Sequence, residues 1–133
     1  MILVDSSVWI HFFNGKTPPA VRQLQALLHD TGAPLAVADL VLFEVLRGFR
    51  QERDYLAARQ TLLKLPSVQI GGEAQALIAA GHYRNLRAMG RTIHSPVDVL
   101  LASYCIENGH ALLHSDSDFD VFEELSGLRS WRH

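Results

Sequence analysis

Cysteine is almost missing from this chain: Cys105 is the only one in 133 residues. Neither a disulfide framework nor a multi-thiolate zinc site can therefore be built within it. No apolar run approaches the roughly 20 residues that a membrane-spanning helix needs, and candidates such as Leu40–Leu46 are broken by charge. The opening Met-Ile-Leu-Val-Asp lacks the basic start and small-residue cleavage site of a signal peptide. A large charge of one sign is absent too. The net charge is −2, so this is no polycation that holds nucleic acid by bulk attraction. Lysine is scarce: the twelve basic residues are ten arginines with only Lys16 and Lys64, and arginine is the side chain whose planar fork suits phosphate and carboxylate. These absences predict a cytoplasmic protein with no membrane segment.

What is present is apolar. At 48% apolar and 20% charged residues, general disorder is excluded and a single core can close. No repeat, low-complexity stretch or linker divides the sequence, which reads as one domain over residues 1–133. Ile2–Asp5 reads as a short buried strand, followed by an apolar helical turn through Val8, Trp9, Phe12 and Phe13. Val21, Leu24, Leu27 and Leu28 recur at helical spacing. Pro34–Ala38 reads as a second strand, after which Asp39 is expected to cap a helix carrying Val41, Leu42, Val45, Leu46 and Phe49 on one face. A further helix is expected from about Asp54 to Leu65, a short strand at Val68 and Ile70, and a helix over Glu73–Met89. Ser95-Pro96-Val97-Asp98 opens another helix that runs to Asn108-Gly109; Ala111–His114 follows as a strand, then a helix at Val121–Leu125 and a last strand near Leu128–Trp131. Short apolar strands alternating with helices predict a three-layer α/β fold with a central, mainly parallel sheet.

In such a sheet, sites form beyond the carboxyl ends of the strands. Asp5 ends the first strand, Asp116 follows the Ala111 strand, and Asp98 lies in the first turn of the helix leading into that strand. Glu44 interrupts an apolar run, where a charge is costly without a partner. Each has a local explanation. Asp5 could be an N-cap, Asp98 a member of a Ser95-x-x-Asp98 capping arrangement, Glu44 a solvated flank beside Arg47, and Asp116 a turn residue. Yet Asp98 shares a helix face with Leu101, Ala102 and Cys105, which turns it inward. Four such coincidences are less economical than one acidic site. Clustered carboxylates repel unless a cation joins them, and an all-oxygen donor set suits Mg²⁺ or Mn²⁺.

Other chemistries lack their motifs. Asp116, Asp118 and Asp120 imitate the start of a calcium loop, but Val121 stands where Gly is required and Gly127 where the bidentate Glu belongs. The seven histidines form no His-Glu-x-x-His, and neither a Gly-x-Ser-x-Gly elbow nor a Gly-x-x-x-x-Gly-Lys loop occurs. Cys105, mid-helix among apolar neighbours, reads as an inert core residue. A receiver-like phosphoacceptor would need a lysine after a late strand, and neither Lys16 nor Lys64 is there.

Four segments in order resemble the PIN-domain family, and within it the VapC toxins of toxin–antitoxin pairs. They are Ile2-Leu3-Val4-Asp5-Ser6-Ser7-Val8-Trp9, Glu44-Val45-Leu46-Arg47-Gly48, Asp98-Val99-Leu100-Leu101-Ala102 and His114-Ser115-Asp116-Ser117-Asp118-Phe119. The resemblance implies a three-layer PIN-like fold and a Mg²⁺- or Mn²⁺-dependent endoribonuclease that acts as a toxin. It implies Asp5, Glu44, Asp98 and Asp116 as catalytic and metal-binding acids, with Asp118 as a further metal ligand. Ser7 and Ser115 match supporting hydroxyl positions. An RNA substrate, a cognate VapB-like antitoxin and a homodimer follow from the same likeness. The alternative is a catalytically degenerate PIN domain that binds RNA or protein; intact acids at all four positions weigh against it. Two departures stand out: His11 replaces a frequent acid, and Phe43 is larger than the residue that often precedes the helical Glu. Arg47, one turn after Glu44, could meet RNA phosphate or simply pair with Glu44. Trp9, Phe12, Phe13 and Phe43 could anchor a partner beside the acids or belong to the core.

Overall fold

Asp5 and Asp116 are brought together by the way the strands are ordered. The computed structural model describes residues 1–131. Along the chain lie β1 (Ile2–Val4), α1 (Ser6–Phe13), α2 (Pro19–His29), β2 (Leu35–Ala38), α3 (Asp39–Leu46) and α4 (Glu52–Leu63). Then come β3 (Ser67–Val68), α5 (Glu73–Ala88), α6 (Pro96–Asn108), β4 (Ala111–Leu113), α7 (Asp118–Ser126) and β5 (Arg129–Ser130). All strand pairs are parallel, in the order β3-β2-β1-β4-β5.

That order fixes the layers. With right-handed crossovers, the steps β1 to β2 to β3 put α1–α4 on one face of the sheet. The return from β3 to β4 and onward to β5 runs the other way, which puts α5–α7 on the opposite face. The expected three-layer α/β architecture is what the chain adopts. Connections leave β1 and β4 in opposite directions, so the crevice between their carboxyl ends is the switch point where α/β ligands bind. Register brings the two ends level: Val4 pairs with Leu113, and Asp5 N–H donates to the Leu113 carbonyl at 3.0 Å.

Burial on both faces explains the unbroken apolar strands: Ile2–Val4 and Leu35–Ala38 are buried throughout. Trp9, Phe119 and Phe122 are the largest fully buried side chains of the core. Gly109 ends α6 and Gly127 ends α7 in left-handed conformation, at φ +68° and +81°, where a side chain would be strained.

Several expectations need correction. Asp39 does not cap α3; it is the first helical residue, and its Oδ1 accepts from Ile70 N–H at 2.8 Å, tying α3 to the segment after β3. Ile70 is fully buried but lies beyond β3. Helix α4 stops at Leu63 rather than Leu65, because the residue before Pro66 is pushed out of helical geometry. Helix α7 begins at Asp118, three residues before the expected start; Asp118 and Asp120 alternate with the fully buried Phe119 in its first turn, which masks the helical apolar spacing. That start also removes the calcium-loop reading, because the third loop position is already helical.

Candidate functional site

Asp5, Glu44, Asp98 and Asp116 line one cavity of about 200 Å³ with Ser6, Ser7, Ile10 and Arg47. Each acid arrives from a different element. Asp5 follows β1 as the N-cap of α1 and is itself buried. Its Oδ2 accepts from Ser7 Oγ at 2.5 Å and from Ser7 N–H at 3.4 Å. The cap and the site acid are thus one side chain. Glu44 comes from α3, and Ser6 Oγ donates to its Oε1. That hydroxyl is the partner a charge inside an apolar run requires, and it was not singled out in the sequence because Ser6 and Glu44 lie 38 positions apart. Asp98 sits in the first turn of α6, where its N–H donates to Ser95 Oγ at 3.4 Å. Ser95 is the cap, which leaves the Asp98 carboxylate for the cavity.

Asp116 belongs to the loop after β4, and its Oδ1 accepts from Asp118 N–H at 2.9 Å. Carboxylate oxygens of Asp98, Asp116 and Asp118 lie within 4.8 Å of one another. Crowding shows in the acidity of the group. Asp98 is pushed up to about 7, first by burial and then by the charges of Asp5, Asp116, Glu44 and Asp118. Burial also raises Asp5, against the lowering influence of its Ser7 and Ser6 hydrogen bonds. A set of hard oxygen donors that resist shared ionisation is what a divalent cation would join, so the donor chemistry fits Mg²⁺ or Mn²⁺.

Ser7 stands beside Asp5, whereas Ser115 is exposed and lines a neighbouring cavity of about 320 Å³ with His114, Asp116, Ser117, Asp120 and Glu123. There His114 Nε2 lies 2.9 Å from Ser130 Oγ, which donates to Glu123 Oε2 at 2.9 Å. His114, Asp120 and Glu123 form a second group with ligand atoms within 4.8 Å. The i, i+3 spacing of Asp120 and Glu123 after His114 was the only signal of it in the sequence. Arg47 lines the acid cavity, and no ion pair joins it to Glu44 among the described residues. Its guanidinium carbon lies 5.3 Å from the centroid of the Phe43 ring instead. Trp9 is fully buried, stacked near Phe13 with ring centroids 6.0 Å apart, and is core rather than anchor. Burial pushes the Cys105 thiol up to about 12, in keeping with an inert core residue.

Residues 2–125 match the PIN domain family. The chain belongs to that family. Among curated PIN relatives, a VapC ribonuclease of Mycobacterium bovis is 30% identical over 130 residues, spanning 98% of this chain and 97% of the relative. The ribonuclease VapC11 of Mycobacterium tuberculosis matches over the same extent at 30% identity. Solved structures share the PIN architecture at lower identity. VapBC2 from Rickettsia felis, bound to a promoter DNA fragment, superposes with a TM-score of 0.75 at 17% identity, over 99% of this chain and 100% of the other. VapC20 of Mycobacterium tuberculosis, a toxin that cleaves the sarcin–ricin loop, gives 0.71 at 18% identity with both chains fully covered.

Proposed function

We propose that this PIN domain is a divalent-metal-dependent endoribonuclease and the toxin of a toxin–antitoxin pair. The observation that carries the reading is the convergence of Asp5, Glu44, Asp98 and Asp116 on one cavity at the sheet's switch point. Near-full-length likeness to proteins named VapC ribonucleases supports RNA as the substrate. The catalytically degenerate alternative finds no support in a site that keeps all four acids.

Asp5 and Asp98 are the proposed principal ligands, with Glu44, Asp116 and Asp118 completing the acidic set. When bound, Mg²⁺ or Mn²⁺ supplies a Lewis acid that polarises the phosphodiester and eases ionisation of water. The chain's own residues do the positioning. Ser7 fixes the Asp5 carboxylate and Ser6 fixes that of Glu44, so neither must reorganise as the transition state develops charge. Ser115, the other hydroxyl position expected to support the site, is exposed and lines the neighbouring cavity, and the Asp116 carboxylate is held by Asp118 N–H. Arg47 supplies a permanent positive charge at the rim of an otherwise repelling acid pocket. The partner is a VapB-like antitoxin, a reading supported by the VapBC complexes among the solved relatives. A homodimer and a cytoplasmic location complete the proposal. No described helix is long and apolar enough to cross a membrane.

Induced expression followed by sequencing of RNA ends tests the reading. New ends at a defined position, absent with Asp5→Asn, are expected. An RNA population unchanged by induction of the unmutated chain would overturn it.

A further inference from the structure

Phe43 is the feature that the acid cavity does not explain. Its α3 neighbours Val41 and Val45 are buried, yet 61% of Phe43 is open to solvent. The ring is not isolated. Arg47, one turn on, holds its guanidinium carbon 5.3 Å from the ring centroid and also lines the acid cavity. Arg47 therefore links an aromatic plate to the place where a phosphate would react.

Size decides what goes where. The acid cavity, about 200 Å³, is smaller than the roughly 300–1,000 Å³ of pockets that enclose a whole small-molecule ligand. It suits a phosphate group better than an entire nucleotide. A nucleotide whose phosphate enters must leave its base on the rim, where α3 presents Arg47 and Phe43. Charge adds a second reason. A chain of net charge −2 whose pocket is lined by acids gains little bulk attraction for a polyanion, so contacts that do not depend on charge must contribute. Stacking on an aromatic or guanidinium plane is such a contact, and unpaired nucleotides offer it.

We propose that Phe43, with Arg47 laid against its ring, is a base-stacking platform that positions the nucleotide beside the bond to be cut. This rests on the ribonuclease reading above. The test uses the full chain carrying Asp5→Asn, titrated into a short single-stranded RNA with 2-aminopurine in place of adenine. Binding should quench the fluorescence. Adding Phe43→Ala should weaken binding about 5- to 150-fold, the range for losing one stacked base, and should abolish the quench. Phe43→Trp should restore both, while Phe43→Leu should restore neither, which separates stacking from plain apolar contact. With an abasic RNA the Phe43 variants should bind alike.

Binding without quench, no RNA binding, or equal affinity of the Ala and Phe forms for the base-bearing RNA would overturn the platform. A Phe43→Ala effect confined to an antitoxin-like protein partner would do the same and make the residue a protein anchor. Cleavage of total RNA by the unmutated chain is scored separately. Cleavage that ignores Phe43→Ala removes the platform alone, whereas failure to cleave removes the ribonuclease reading.

Discussion

Four carboxylates facing one small cavity carry a cost that metal-free protein must bear alone, and Asp98 shows it most clearly. Its ordinary value is 3.8 and its folded value about 7, so between those limits the folded chain keeps a proton that the unfolded chain releases. Stability must fall as pH rises from about 4 to about 7, with the whole penalty present above 7. Allowing for solvent screening of a half-buried group, we expect about 1–2 kcal/mol less stability from this source at pH 8 than at pH 5. His114 and His110, both held below 6.5 chiefly by burial, work in the opposite direction at the acid end. The comparison is therefore made between wild type and Asp98→Asn in chelator-treated protein. Thermal unfolding should show the variant gaining stability at pH 8 and little at pH 5; parallel curves for the two proteins would refute the crowding argument. Asp5→Asn makes a complementary prediction. Asparagine caps a helix as well as aspartate, so the Ser7 contact survives while one repelling charge goes. Cleavage should be lost with unfolding temperature unchanged or raised, and a full-activity variant in Mg²⁺ would remove Asp5 from the proposed ligand set.

Elements make different demands on the sequence. Those with local punctuation were legible in it: Ser95-Pro96 at the start of α6, Gly109 at its end, and the apolar runs of β1, β2 and β4. What stayed hidden depends on distant partners. Asp39 reads as a cap because its acceptor role needs Ile70, 31 residues away, and Ser6 carries no local signal because its acceptor is Glu44. Aromatic roles were equally opaque: Trp9, Phe12, Phe13 and Phe43 share one composition, and only packing separates the buried Trp9 from the open Phe43. The Asp39 contact can be weighed directly. Asp39→Ala leaves a partly buried N–H without its acceptor and should cost about 1–3 kcal/mol in denaturant unfolding. A cost near zero would mean that water replaces the carboxylate. Helix α3 also carries Arg47 to the cavity rim. If that guanidinium meets phosphate, Arg47→Ala should raise KM for RNA and reduce the salt slope of binding by about one. Lost stability with an unchanged slope would return Arg47 to a surface role beside Phe43.

At the scale of the whole molecule, the strand order gathers acids from distant parts of a chain of ordinary composition at one sheet edge. The acids come from residues 5, 44, 98 and 116, so the site exists only when both layers are folded, and we propose that residues 1–133 unfold as one unit. The charge that suits such a pocket to a divalent cation suits it equally to an arginine, whose fork can bridge two carboxylates and never loses its proton. An antitoxin could silence the enzyme by laying such an arginine among Asp5, Glu44, Asp98 and Asp116, in competition with Mg²⁺. Raising Mg²⁺ should then weaken the partner and restore cleavage together, because both occupants draw on the same carboxylates. The measurement is a titration of the purified protein with a cognate VapB-like antitoxin at low and high Mg²⁺, following binding and RNA cleavage in parallel. Asp98→Asn should weaken the partner as well as the metal, since it removes a charge both need. Tight binding that leaves cleavage untouched, or an inhibition constant independent of Mg²⁺, would place the partner elsewhere on the surface and end the occlusion argument.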